Sequence, residues 1–237
     1  MIRQATFVLA LATASAALAL TPSDGHRMLN FTALQGTSSP GAFRPSPDQL
    51  QGFQEFINES STADGINLKR WTVQALLEAS PAIALDTIRA MGRYVNESTS
   101  LEGRRMKCET IVSMFQGMPE LGADAVTALA ALVNESSTME GRTLKARAMA
   151  LLVKAGVKIQ ATQLYAIARF VNESSSMEGR QMKLGALEQM FQLQPRLSPA
   201  QIDNIAKFVD AAPDLAARRA KIGFVLDTLK TNSQAFE

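Results

Sequence analysis

Four times in this chain, every 38 residues, one short phrase recurs: FINESSTADG around Asn58, YVNESTSLEGR around Asn96, LVNESSTMEGR around Asn134 and FVNESSSMEGR around Asn172. A fifth copy, FVDAAPDLAARRAK, is worn and puts Asp210 where the next Asn would stand. A fixed period of this length restricts the chain to stacked units, each of which buries its apolar face against its neighbours. The period speaks to architecture before it speaks to chemistry.

The residues between the phrases say what the units are. Eight residues before each Asn, or before Asp210, stand Leu50, Ile88, Val126, Leu164 and Ile202, and five before it Phe53, Met91, Leu129, Ile167 and Ile205. Fifteen residues after it stand Val73, Ile111, Met149, Leu187 and Val225. Apolar positions at this spacing are those of amphipathic helices. The expected fold is therefore all-α, a right-handed α-solenoid of about five helical hairpins with a 38-residue repeat. The phrase is placed at the junction between the second helix of one unit and the first helix of the next. Ser80-Pro81, Met118-Pro119, Gln194-Pro195 and Ser198-Pro199 mark the turns within units.

Inside the phrase each residue has an expected local role. Ser61, Thr99, Ser137 and Ser175 precede Asp64, Glu102, Glu140 and Glu178 by three residues, which is capping-box spacing or its Asp variant. The Asn at each junction suits a helix end, because Asn tolerates a left-handed backbone there. Gly65, Gly103, Gly141 and Gly179 sit in the first helical turn, where Gly costs about 1 kcal/mol against Ala. Close approach of a neighbouring repeat is the expected reason. Arg104, Arg142, Arg180 and Arg218, and Lys69, Lys107, Lys145, Lys183 and Lys221, fall within the apolar stripe near the helix start, where the dipole disfavours them. Such cations require partners. The nearest are Glu59, Glu97, Glu135 and Glu173 with Glu102 and its equivalents, giving a ladder of Arg–Glu and Lys–Glu pairs. A groove for an anionic ligand and a metal site of Asn, Ser and carboxylate are the alternatives.

Outside the repeats the chain changes character. Arg3, an Ala/Leu-rich run from about Phe7 to Leu18 and the small residues Ala17-Leu18-Ala19 describe a secretory signal over 1–19, too short in its apolar part to span a bilayer. Residues 20–45 are rich in Pro, Gly, Ser and Thr and are expected to be a disordered leader. The solenoid is expected over 46–231 and a tail over 232–237. The protein is thus expected to be secreted or periplasmic, without a transmembrane segment. A net charge of +2 gives no reason to expect nucleic acid. Cys108 is the one cysteine, so no internal disulfide forms, and a buried helix position is expected for it.

No catalytic set is visible. The one histidine, His26, lies in the leader, and no Cys/His spacing fits a metal. No cofactor and no small-molecule substrate are indicated. Carboxylates that recur in every unit point to architecture, which leaves a carboxylate-based hydrolase as the minor reading. Each phrase also holds an Asn-x-Ser triplet, and Asn30-Phe31-Thr32 supplies a fifth acceptor. The four in the phrase are assigned to the junction, with glycan attachment as the alternative.

Between about Pro47 and Lys230 the paired helices resemble the HEAT and tetratricopeptide class of helical-repeat proteins. The likeness is architectural: the 34-residue tetratricopeptide pattern and the HEAT Asp/Arg pattern are absent. Arg27-Met28-Leu29-Asn30 also resembles, one residue off, the Arg-x-Leu-Arg translocation motif of secreted oomycete effectors. The class resemblance implies a noncatalytic scaffold that binds a protein or peptide, and the second resemblance an effector acting in a host. Partner contacts are expected on residues that vary between units: Arg70 with Trp71, Arg89, Arg93, and Tyr165 with Arg169.

Overall fold

A computed structural model describes residues 45–237, and among these the fold is all-α, with ten helices and no strand. The expected signal, nearly all of the leader, His26, the Arg27–Asn30 motif and the Asn30 acceptor lie outside the described residues. Five short helices of 12 residues alternate with longer ones of 16 or 17. The short helices are α1 Pro47–Asn58, α3 Leu85–Asn96, α5 Ala123–Asn134, α7 Ala161–Asn172 and α9 Pro199–Asp210. The long ones are α2 Ala63–Ala79, α4 Leu101–Gly117, α6 Met139–Lys154, α8 Met177–Leu193 and α10 Leu215–Thr231. Among the described residues no helix is long and apolar enough to cross a membrane.

Each short helix packs on the short helices before and after it, and each long helix on its long neighbours. A short helix also packs on the long helix that follows it, as α1 does on α2, whereas long helices make no comparable contact with the short helix that comes next. The hairpin is therefore short helix, phrase, long helix. This corrects the expected placement: the phrase turns the chain inside each hairpin, and the Ser80-Pro81 and Met118-Pro119 turns link one hairpin to the next.

The core follows the repeated apolar positions. Ile88, Val126, Leu164, Met91, Leu129, Ile167, Ile111, Met149 and Val225 are fully buried. Leu50, on the first described helix, is only half-buried. Cys108 is buried on α4 as expected, and burial pushes its thiol up to about 11, which leaves it unreactive.

The caps differ from expectation by one residue. The N-caps of the long helices are Thr62, Ser100, Thr138 and Ser176, whose hydroxyls accept from the amides of Gly65, Gly103, Gly141 and Gly179. Gly occupies the third helical position, so no carboxylate reaches back and the expected capping boxes do not form. Glu102, Glu140 and Glu178 instead stand exposed in the first turn, where the dipole favours a negative charge. Capping boxes do occur where short helices begin, at Ser46 with Gln49 and Ser198 with Gln201, each followed by Pro at the helix start. The third hairpin ends differently from the rest. Gly156, at φ 86°, closes α6, with the Val157 amide reaching Leu152 and the Gly156 amide Val153.

The glutamines at the third position of these short helices, Gln49 in α1, Gln163 in α7 and Gln201 in α9, also tie distant segments together. The Gln49 carboxamide donates to Pro81 and Ile83, and that of Gln163 to Leu197, so each holds the link that leads to the next hairpin. Gln201 has no next hairpin to hold. It donates instead to Ser233 and Ala235, and Asn204 donates to Phe236, so residues 232–237 fold back over α9. The expected tail is thus a terminal cap. Deleting residues 233–237 leaves the buried Gln201 carboxamide unsatisfied, and we expect chemical denaturation to register a loss of about 1–3 kcal/mol.

Candidate functional site

Every hairpin places a lysine from its long helix in the interior, and around that ammonium the repeated phrase is arranged. Lys69, Lys107, Lys145 and Lys183 are each at most 1% exposed, as deeply buried as the centre of the apolar core. A bare ammonium cannot be stable there without partners. The first comes from the short helix just before it. In α1 the Ser60 amide bonds Ile57, so the Phe56 carbonyl in the last turn receives no backbone donor, and Lys69 donates to it at 2.6 Å. The same shift frees Tyr94, Phe170 and Phe208, which accept from Lys107, Lys183 and Lys221 at 2.6 Å. The ammonium thus meets the negative end of the short helix, although it stands near the positive start of its own.

The aromatic ring of the same residue lies under the cation. Lys69 sits 4.7 Å from the Phe56 ring centroid, Lys107 4.8 Å from Tyr94, Lys183 4.8 Å from Phe170 and Lys221 4.7 Å from Phe208. The third hairpin has Leu132 at this position and neither contact is made there. Lys145 takes a closer carboxylate instead, Glu135 at 2.7 Å.

Carboxylates complete the set at the mouth of each joint. Lys69 meets Glu59 at 3.4 Å and Lys107 meets Glu97 at 3.8 Å, whereas Lys183 takes Asp210 of the next hairpin at 2.6 Å rather than Glu173. The lysine half of the expected ladder is present in that form. The arginine half is largely absent. The Nε atoms of Arg104, Arg142 and Arg218 donate to the carbonyls of Ser98, Ser136 and Ala212 at 2.9, 2.7 and 3.3 Å. Only Arg180 reaches a junction carboxylate, Glu135 of the preceding hairpin, at 3.5 Å. The phrase carbonyl lies within an arginine's own helix start and wins on proximity.

The Asn residues do not adopt the left-handed backbone expected of them. They are the last helical residues, and Glu59, Glu97, Glu135 and Glu173 follow as caps with right-handed φ. Their side chains reach backwards to the preceding hairpin. Asn96 accepts from Lys69 at 2.8 Å and donates to Glu59, and Asn172 accepts from Lys145 at 2.6 Å. Asn134 is half-buried, and its Oδ1 finds no partner among the described residues. Asn58, on the first described helix, is exposed.

The glycines serve the phrase rather than the stacking of hairpins. A Cβ on Gly103 or Gly141 would lie 2.9 Å from the Oγ of Ser98 or Ser136, and one on Gly179 3.0 Å from Ser174 Oγ. These serines are buried beneath the turn, so the tight loop and not a neighbouring backbone excludes a side chain.

The candidate partner residues fall into three groups. Arg89 and Arg169 bridge adjacent short helices, to Glu55 at 2.9 Å and to Asp203 at 2.6 Å. Arg70 is half-buried and occupies the position that Cys108, Ala146, Leu184 and Ile222 fill in later hairpins. Trp71 at 41% and Tyr165 at 37% stand exposed with Arg93. Between α1 and α3, Arg93 lines a shallow groove with Phe56, Glu59, Ile88, Arg89 and Gly92, and a matching groove between α7 and α9 is lined by Arg169, Glu173, Asp203 and Lys207. No group of three or more metal-ligating side chains is assembled among the described residues. The glutamine staples were not singled out from the sequence, although Gln at three of the five equivalent positions was a usable signal.

Two tests address the joint. Because Glu135 pairs with Lys145, Lys145→Met and Glu135→Gln should couple by about 1 kcal/mol in a double-mutant cycle, while Arg142→Met and Glu135→Gln should be additive within about 0.5 kcal/mol. The second test is pH. Burial lowers the Lys107 ammonium to about 8 from an ordinary 10.5, with Glu97 opposing and Arg142 assisting the shift. Between those values the unfolded chain binds the extra proton, so stability rises with pH. The thermal midpoint of the protein should therefore gain on that of Lys107→Met as pH rises through this window. A parallel course of the two curves would contradict it.

Comparison of the chain with family models, with curated proteins and with solved structures found no match.

Proposed function

We propose that the described residues form a right-handed α-solenoid of five hairpins with a 38-residue repeat, and that it is an exported, noncatalytic scaffold for a protein or peptide partner. Export rests on the charged, apolar and small segments of residues 1–19 alone. The observation that carries the binding reading is the division of labour between repeated and varied residues. The repeated lysines, with Asn96 and Asn172, hold hairpins together, and the glycines fit the tight turn inside each hairpin. The outward position held by Trp71 is held by Glu109, Arg147, Gly185 and Gly223 in later hairpins. Likewise Gln51, Arg89, Thr127, Tyr165 and Asp203 share one position on the short helices. A surface that changes chemistry from hairpin to hairpin while its support stays constant is what an extended recognition face requires.

Exposed aromatic side chains are the usual anchors of such faces. The test is affinity capture of a partner from the protein's native surroundings, followed by titration of that partner against variants. Trp71→Ala and Tyr165→Ala should each weaken binding by about tenfold or more, corresponding to at least 1.4 kcal/mol, with no change in thermal midpoint. Undiminished binding by the double variant would place the contact elsewhere.

A further inference from the structure

One position of the array is covered in four hairpins and bare in the fifth. Thr72, Thr110, Ala148 and Ala186 share it on α2, α4, α6 and α8, and each is buried or half-buried beneath the next long helix. The equivalent residue of α10 is Phe224, which is 59% exposed, the most exposed large apolar side chain among the described residues. The terminal cap does not hide it. Residues 232–237 are held by Gln201 and Asn204 of α9, and Phe236 stacks toward Phe208 at 6.3 Å.

The lysine of the last joint is also incomplete. Lys69, Lys107, Lys145 and Lys183 each have a carboxylate within 4.0 Å, but Lys221 has only the Phe208 carbonyl and ring. Its ammonium has three donors, of which one is used. The bare face therefore offers a large apolar side chain beside a cation that lacks an acid.

We propose that this face of α10 binds a second copy of the chain, α10 against α10, antiparallel about a two-fold axis at Phe224. The charge order on the helix favours this occupant. Lys221 stands three residues before Phe224 and Asp227 three residues after it, so an antiparallel pair centred on Phe224 sets each Lys221 against the partner's Asp227. Ala220 then faces the partner's Thr228 and Ala217 the partner's Thr231, small residues that permit close approach of the two helices. The bond Asp227 now makes, to Lys230 at 2.8 Å with both side chains over half exposed, is a surface pair of little strength and easily exchanged.

Head-to-tail continuation of the array does not fit the same face. It requires a short helix to seat on α9, where residues 232–237 already lie. It would also set Arg70 against Phe224, two large side chains at a contact where the internal hairpins pair at least one small one. An isologous pair closes on itself, whereas head-to-tail stacking would extend into a filament.

Sedimentation equilibrium of the purified chain tests this. The expected result is a dimer at concentrations on the order of 100 µM. Phe224→Ser and Asp227→Lys, both at exposed positions, should each give a monomer with an unchanged far-ultraviolet circular dichroism spectrum. An equimolar mixture of the Ala220→Cys and Thr228→Cys variants should yield the mixed disulfide-linked dimer on mild oxidation, whereas a parallel pairing would link like variants to each other and overturn the proposal. A monomer at every concentration overturns the proposal, and so does a dimer unaffected by Phe224→Ser and Asp227→Lys. Growth into larger species that Phe224→Ser abolishes would show head-to-tail docking and likewise refute the two-fold pair.

Discussion

The structure depends on an ammonium ion buried in each of the first four hairpins. Desolvating that charge is costly, and the cost is met by at least two of three pieces of chain: a carbonyl freed at the end of the short helix, a carboxylate from the turn, and a side chain from the next hairpin, with Lys69 taking all three. Each partner comes from a different place in the sequence. The lysine consequently specifies more than it stabilises. It fixes the angle between the helices of its own hairpin through the carbonyl, and the register of the following hairpin through Asn96, Asn172 or Asp210. An apolar residue at that position would bury as well and would specify neither.

The joints are not identical, and their differences follow from single residues. Leu132 removes the ring at the third joint, where Lys145 bonds Glu135 rather than the carbonyl and Glu135 also draws in Arg180. Asp210 replaces the repeated Asn at the fourth, and there the lysine leaves its own turn carboxylate for the new charge. These substitutions conserve one rule, that the ammonium keeps at least one anionic partner. At the fifth joint the rule lapses: Ala211 stands where the other turns carry their glutamate, and Lys221 has no carboxylate within 4.0 Å among the described residues. The exposed Phe224 and the unpaired capacity of Lys221 are two consequences of the same end of the array.

Much of the scaffold was legible in the sequence because it depends on local period. Helix type, the alternating core positions and the need of Lys107 or Lys145 for a partner follow from spacing at 3.6 residues per turn. The caps were misplaced by one residue because two hydroxyls stand side by side, as Ser137 and Thr138 do, and the glutamate three residues on singled out the earlier one, whereas the helix is capped by the later one. Gly141 misled for a related reason: a glycine in a helix signals crowding but does not say by what, and the crowding atom belongs to a serine five residues away. The Asn residues were assigned to backbone conformation because the sequence offers no way to see a lysine 27 residues earlier coming within 2.8 Å.

By itself, then, the sequence determined that this protein is helical, that its apolar pattern recurs every 38 residues, and which side chains build the core. Hydrophobic period acts over a few residues and needs no knowledge of neighbours. The tertiary structure alone decided which helices form a hairpin, whom each cation pairs with, and which surfaces stay open. Those outcomes rest on distances between residues far apart in the chain, where desolvation makes a partner at 2.6 Å decisive and one a few ångströms further of little account.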